Sequence, residues 1–93
     1  MKVASLRYFV VLSEERQFSK AAARCGVAQP SLSAGIRRLE ETFGCRLFER
    51  QPVNLTPAGK AALPHIRKAL EEIDIAMSYV RSKRRAPSTI LKP

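Results

Sequence analysis

Between Phe18 and Glu40 the chain reads FSKAAARCGVAQPSLSAGIRRLE, and its chemically active side chains there are mostly hydroxyls and guanidinium groups. Ser31, Ser33, Arg37 and Arg38 fall away from the apolar stripe of Leu32, Ile36, Leu39 and Phe43, so a helix over these residues has one docking face and one polar face. Such groups exchange hydrogen bonds and supply fixed positive charge, which suits recognition rather than turnover. No nucleophile, acid–base pair or phosphate-cradling loop is visible in the sequence, which argues against an enzyme. Glu14 with Glu15, Glu40 with Glu41 and Glu71 with Glu72 read as solvated helix charge, and His65 as a surface or interface residue.

The balance of 17 Lys plus Arg against 8 Asp plus Glu in 93 residues leaves a formal net charge of +9. That excess favours a polyanionic partner, nucleic acid first and an anionic membrane second. No apolar run approaches the roughly 20 residues of a spanning helix, and the N-terminus lacks a cleavable signal pattern, so the expected location is the cytoplasm. Cys25 and Cys45 are isolated and the chain holds one His, too few ligands for zinc, so no metal or cofactor is expected and the thiols read as buried.

The polar residues need elements to hold them. Ser19 can cap a first short helix in which Ala21, Ala22 and Ala23 permit a close crossing, and Gly26 can end it in the left-handed conformation. A second helix starts near Pro30, giving a helix-turn-helix over about residues 18–37. Val3, Leu6, Phe9, Val10 and Leu12 suit another amphipathic helix packed on these two. After Gly44, Arg46–Arg50 and Val53–Leu55 outline two short strands around Gln51-Pro52, a wing anchored by Leu47 and Phe48. The expected fold is mostly α: a winged helix-turn-helix of three helices and a two-stranded wing, followed by a long dimerisation helix.

Thr56 as N-cap and Pro57 at the first helical position open that long helix, which runs to about Lys83 with Pro64 expected to bend or loosen its second turn. Along it Leu63, Ile66, Leu70, Ile73, Met77 and Val80 are spaced 3, 4, 3, 4, 3, a coiled-coil seam flanked by Ala62, Ala69 and Ala76. A helix of about 27 residues spans roughly 40 Å and must project beyond so small a core, which favours a homodimer over a purely intramolecular stripe. The expected divisions are a winged helix-turn-helix domain for nucleic acid over 1–58, a linker or dimerisation helix over 59–84 and a hinge or tail over 85–93.

In order, Phe9, Phe18-Ser19-x-Ala21-Ala22, Val27-x-Gln29-Pro30-Ser31-Leu32-Ser33, Ile36-x-x-Leu39-Glu40, Gly44, Leu47-Phe48-x-Arg50 and Leu55-Thr56-Pro57-Ala58-Gly59 resemble the N-terminal region of LysR-type transcriptional regulators. The resemblance implies sequence-specific binding of double-stranded DNA by a dimer, on an interrupted inverted repeat, with long helices paired antiparallel. It places a small-molecule effector only in a C-terminal domain missing from this chain, and allows higher oligomers in a full-length protein. A winged-helix adaptor that dimerises without reading DNA is the alternative.

Three departures from the family pattern bear on the site. Ala28 stands where a capping Ser is common, which weakens the helix start by about 1 kcal/mol. Ala34 and Gly35 replace longer polar side chains, with Gly35 expected to face outward. The wing is short and lacks the usual basic residues, leaving Arg50 as the candidate for the minor groove. Base readout then rests on Gln29, whose amide matches an adenine edge, with Pro30 and Ser31 beside it. Ser19 and Ser33 are assigned to phosphate or to capping alone, and Arg37 to phosphate; Arg38 has phosphate or Glu41 as partner.

Overall fold

The computed structural model describes residues 1–85, in the order α1 (Val3–Glu15), α2 (Phe18–Cys25), α3 (Gln29–Phe43), β1 (Phe48–Arg50), β2 (Val53–Leu55) and α4 (Pro57–Arg85). This is the expected winged helix-turn-helix with its long helix. Arg85 ends α4, and the rest of the expected tail lies outside the described residues.

Leu6, Phe9 and Leu12 line one face of α1 and meet Ala21 and Ala22 of α2 and Leu32, Ile36 and Leu39 of α3 in a single core. Removing each of the Leu, Ile and Phe side chains from water stabilises the domain by about 1.5–3 kcal/mol. The helix-turn-helix depends on Gly26, whose φ of 70° ends α2 and sends Val27 back to bond its N–H to the Ala22 carbonyl at 3.0 Å. Ser19 is not the cap. α2 begins at Phe18 with extended Gln17 before it, so Ser19 sits one residue inside the helix, exposed and without a capping bond. Ala23 is also exposed, so only Ala21 and Ala22 form the close crossing.

Two further expectations about α3 are corrected. Gly35 faces inward, because α1 crosses α3 there and a Cβ at Gly35 would stand 2.6 Å from the Tyr8 ring. Phe43 is exposed, one turn beyond Leu39, where no element among the described residues covers it.

The wing is an antiparallel pair in the register Phe48↔Leu55, Glu49↔Asn54 and Arg50↔Val53, closed by Gln51-Pro52 through a cis peptide bond. Leu47 and Phe48 are fully buried, and the Phe48 ring lies 5.3 Å from that of Phe9, which fastens the wing to α1.

Thr56 caps α4. Its hydroxyl accepts the Gly59 N–H at 3.0 Å and donates to the Arg46 carbonyl at 2.8 Å. α4 continues as helix through Pro64. Ile66 and Leu70 of the expected seam are buried in the domain's own core, so they are not free for a second chain. Arg67 pairs with Glu14 and Arg7 with Asp74, which tie α4 to α1 as far as Asp74. Beyond that point Met77 and Val80 stand exposed. Among the described residues no helix is long and apolar enough to cross a membrane.

Candidate nucleic-acid interface

α3 buries Leu32, Gly35, Ile36, Leu39 and Glu40, and the helical repeat therefore turns Pro30, Ala34, Arg37 and Arg38 away from the core. Gln29, Ser33 and Arg37 follow one another at four-residue spacing along one ridge, with Pro30 and Ala34 on the next. Gln29, Pro30, Ser31 and Arg37 are exposed and Ser33 is half-buried. Extended Ala28 gives the helix start no side-chain cap; Pro30 has no N–H and the Ser31 N–H donates to the Ala28 carbonyl at 3.0 Å, so the Gln29 amide is the donor of the first helical turn left for solvent or a ligand.

Arg37 and Arg38 form no ion pair among the described residues, so the Arg38–Glu41 alternative is not realised. Arg7, Arg24, Arg50 and Arg67 are instead paired with acids. Arg24 lies 2.7 Å from Glu14 and 3.0 Å from Glu15, which raises its pKa and gives those acids a structural partner in place of the solvated role expected for them. Lys2 and Tyr8 of the α1 side line an open concavity with Ser31, Ala34 and Arg38. Lys2 was invisible as a site residue in the sequence, since its neighbourhood arises only where α1 crosses α3.

Arg50 turns inward. Its Nη2 donates to Glu40 Oε1 at 2.8 Å, its Nη1 to the Phe48 carbonyl at 3.1 Å, and its guanidinium carbon lies 5.6 Å from the centre of the Phe18 ring. Glu40, expected as solvated charge, is buried, and its Oε2 accepts the Leu47 N–H at 2.8 Å and the Phe48 N–H at 3.2 Å. Burial pushes its carboxyl up, but the bonds from Leu47, Arg50 and Phe48 outweigh burial and hold the group below the usual glutamate range.

A carboxylate depressed by folding contributes stability that is complete above its unfolded value of about 4.3 and is lost as pH falls through the folded value. The melting temperature of the wild-type chain should therefore fall more steeply below about pH 4 than that of Glu40→Gln, which has no such charge to lose. Melts followed by circular dichroism across the acid range check this. Parallel pH profiles would mean that the Glu40 carboxylate contributes nothing.

Neither thiol is a buried core residue of the kind expected: Cys25 is half-buried and Cys45 exposed. Burial pushes the Cys25 thiol up, away from a reactive thiolate. Among the described residues no cluster of three or more His, Cys, Asp or Glu is placed to hold a metal ion.

Residues 3–60 match the family described as bacterial regulatory helix-turn-helix protein, lysR family. The chain is 39% identical over 93 residues to the HTH-type transcriptional regulator PgrR of Escherichia coli, covering 98% of this chain and 31% of that protein. It is 43% identical over 83 residues to the regulator BudR of Klebsiella aerogenes, covering 87% of this chain and 58% of that protein. The crystal structure of the BenM DNA-binding domain in complex with catB site 1 DNA superposes with a TM-score of 0.85 at 38% identity, over 95% of this chain and 100% of that one. The chain thus spans about a third of the length of PgrR and somewhat over half that of BudR. Matched over residues 3–60 by sequence and over its winged helix-turn-helix and long helix by shape, the chain belongs to the LysR family of bacterial regulatory helix-turn-helix proteins.

Proposed function

We propose that this chain is a cytoplasmic, sequence-specific DNA-binding module of a transcription regulator, acting as a homodimer on an interrupted inverted repeat. The observation that carries this reading is the outward ridge of α3. Gln29, Ser33 and Arg37 stand in line there, and Arg37 and Arg38 have no acidic partner among the described residues while Arg7, Arg24, Arg50 and Arg67 are each paired with an acid. A helix carrying free amide, hydroxyl and guanidinium groups fits the major groove of B-form DNA. The DNA-bound BenM domain, similar along its whole length, supports the same reading.

Gln29 is assigned to base edges, with Pro30 and Ser31 beside it. Ser33 and Arg37 are assigned to the flanking phosphates, and Ser19, exposed in the first turn of α2, to the opposite backbone. The second subunit is assigned to the part of the α4 seam outside the core, exposed Met77 and Val80 with half-buried Leu63 and Ile73. Effector binding is assigned to none of these residues.

Titrations on a duplex selected from a random pool, and on a scrambled duplex, test the assignment. Log affinity should fall linearly with log salt, at about −0.9 per phosphate neutralised. Gln29→Ala should cost about 1–3 kcal/mol on the selected duplex and little on the scrambled one. Arg37→Ala should weaken both alike and lower the salt slope by about one unit per subunit. A flat salt response would favour the adaptor reading. Equal losses on both duplexes from Gln29→Ala would move readout to Pro30, Ser31 or the wing.

A further inference from the structure

Arg50 is the one basic residue of the wing strands, and the turn beyond it, Gln51-Pro52, is uncharged. Its guanidinium is nevertheless committed inside the domain, where it meets α3 through Glu40, its own strand through the Phe48 carbonyl, and α2 through the face of Phe18. The Glu40 side chain is only 9% exposed and that of Arg50 30% exposed. One Glu40 oxygen holds the entry of β1 through two backbone N–H groups, and the other holds Arg50 at its far end. A strand tied to a helix at two points is restricted in its swing relative to that helix.

We infer that Glu40 and Arg50 are positioning residues for DNA recognition: the pair sets the angle between the wing and α3, and Arg50 does not itself bind phosphate. The inference rests on the DNA-binding reading above and changes the role that the sequence assigned to Arg50. Charge-assisted bonds with fixed fork geometry hold direction better than a single contact between flexible side chains. Partners in one network are also expected to couple energetically.

The test uses the whole chain and a duplex that the wild-type protein selects from a random pool. Glu40→Gln keeps an oxygen for the Leu47 and Phe48 amides but turns a donor toward Arg50, so only the guanidinium tie breaks. Coulomb attraction alone predicts tighter binding for this variant, because a negative charge is gone. Positioning predicts weaker binding, by about tenfold.

Arg50→Lys keeps the charge but cannot bridge Glu40 and Phe48 while lying over Phe18. Positioning predicts a comparable loss, and a phosphate contact predicts almost none. Arg50→Gln should leave the salt slope at the wild-type value, whereas loss of a phosphate contact would lower it by about one unit per subunit. Combining Glu40→Gln with Arg50→Gln should cost no more than the worse single change.

Melting curves identify variants folded at the titration temperature. Should Glu40→Gln not fold, the two Arg50 variants give the same decision. Unchanged or tighter binding by folded Glu40→Gln, full binding by Arg50→Lys, or a reduced salt slope for Arg50→Gln would each overturn the inference. A wild-type chain that selects no duplex would sink the DNA-binding reading itself, and this inference with it.

Discussion

Replacing Met77 and Val80 together with lysine should convert the chain from a dimer to a monomer and weaken its binding to a selected inverted repeat by about a hundredfold or more. The two side chains are 49% and 56% exposed and lie one turn apart on the part of α4 that projects past Asp74. Nothing among the described residues covers them. A dimer holding one half-site presents the second at a high effective concentration, and a monomer loses that gain entirely. Lysine is chosen because added positive charge favours DNA, so a loss cannot come from long-range electrostatics. The core should stay folded, since Ile66 and Leu70 are untouched; replacing Leu70 would instead unfold the domain and confuse the outcome. Sedimentation equilibrium at tens of micromolar checks the assembly, and titration on whole and half sites checks the affinity. A wild-type chain that sediments as a monomer, or a lysine variant that remains a dimer, rules this interface out.

Gly59→Ala should lower the melting temperature by roughly 8–16 °C, although alanine is the better helix former by about 1 kcal/mol. An added Cβ would stand 2.2 Å from the Leu47 carbonyl oxygen, a backbone atom that already accepts the Thr56 N–H at 3.0 Å. That oxygen cannot swing aside as a side chain can. Relief requires the first turn of α4 to lift from the wing, which strains the Thr56 cap and the burial of Leu47, at a cost of about 3 kcal/mol. The steric term therefore exceeds the propensity gain. Gly35→Ala meets the Tyr8 ring instead, a side chain that can rotate, so its loss should be smaller. Melting curves of the two variants compare the cases directly; a Gly59→Ala variant as stable as wild type would mean that α4 does not need this approach.

The chain's elements were legible because local interactions make them. The Leu32–Ile36–Leu39 stripe, the Thr56-Pro57 start and the breaks at Gly26 and Gly44 act within about one helical turn, and their spacing is written in order along the chain. The polar ridge of α3 followed from the same period. Motifs spread from Phe9 to Gly59 were enough to name the family that residues 3–60 match.

What the chain alone could not settle are questions of which distant atoms meet. Glu40 and Arg50 look like surface charges in sequence, and only the seating of the wing on α3 buries one against the other. Gly35 looks outward until α1 is laid across it. The α4 seam has one uninterrupted period, yet its Ile66 and Leu70 fill the domain's own core while Met77 and Val80 are left exposed. Periodicity states that a face is apolar. Which surface covers that face depends on how far the folded core reaches, a length set by three helices packed together and not by any stretch of residues read singly.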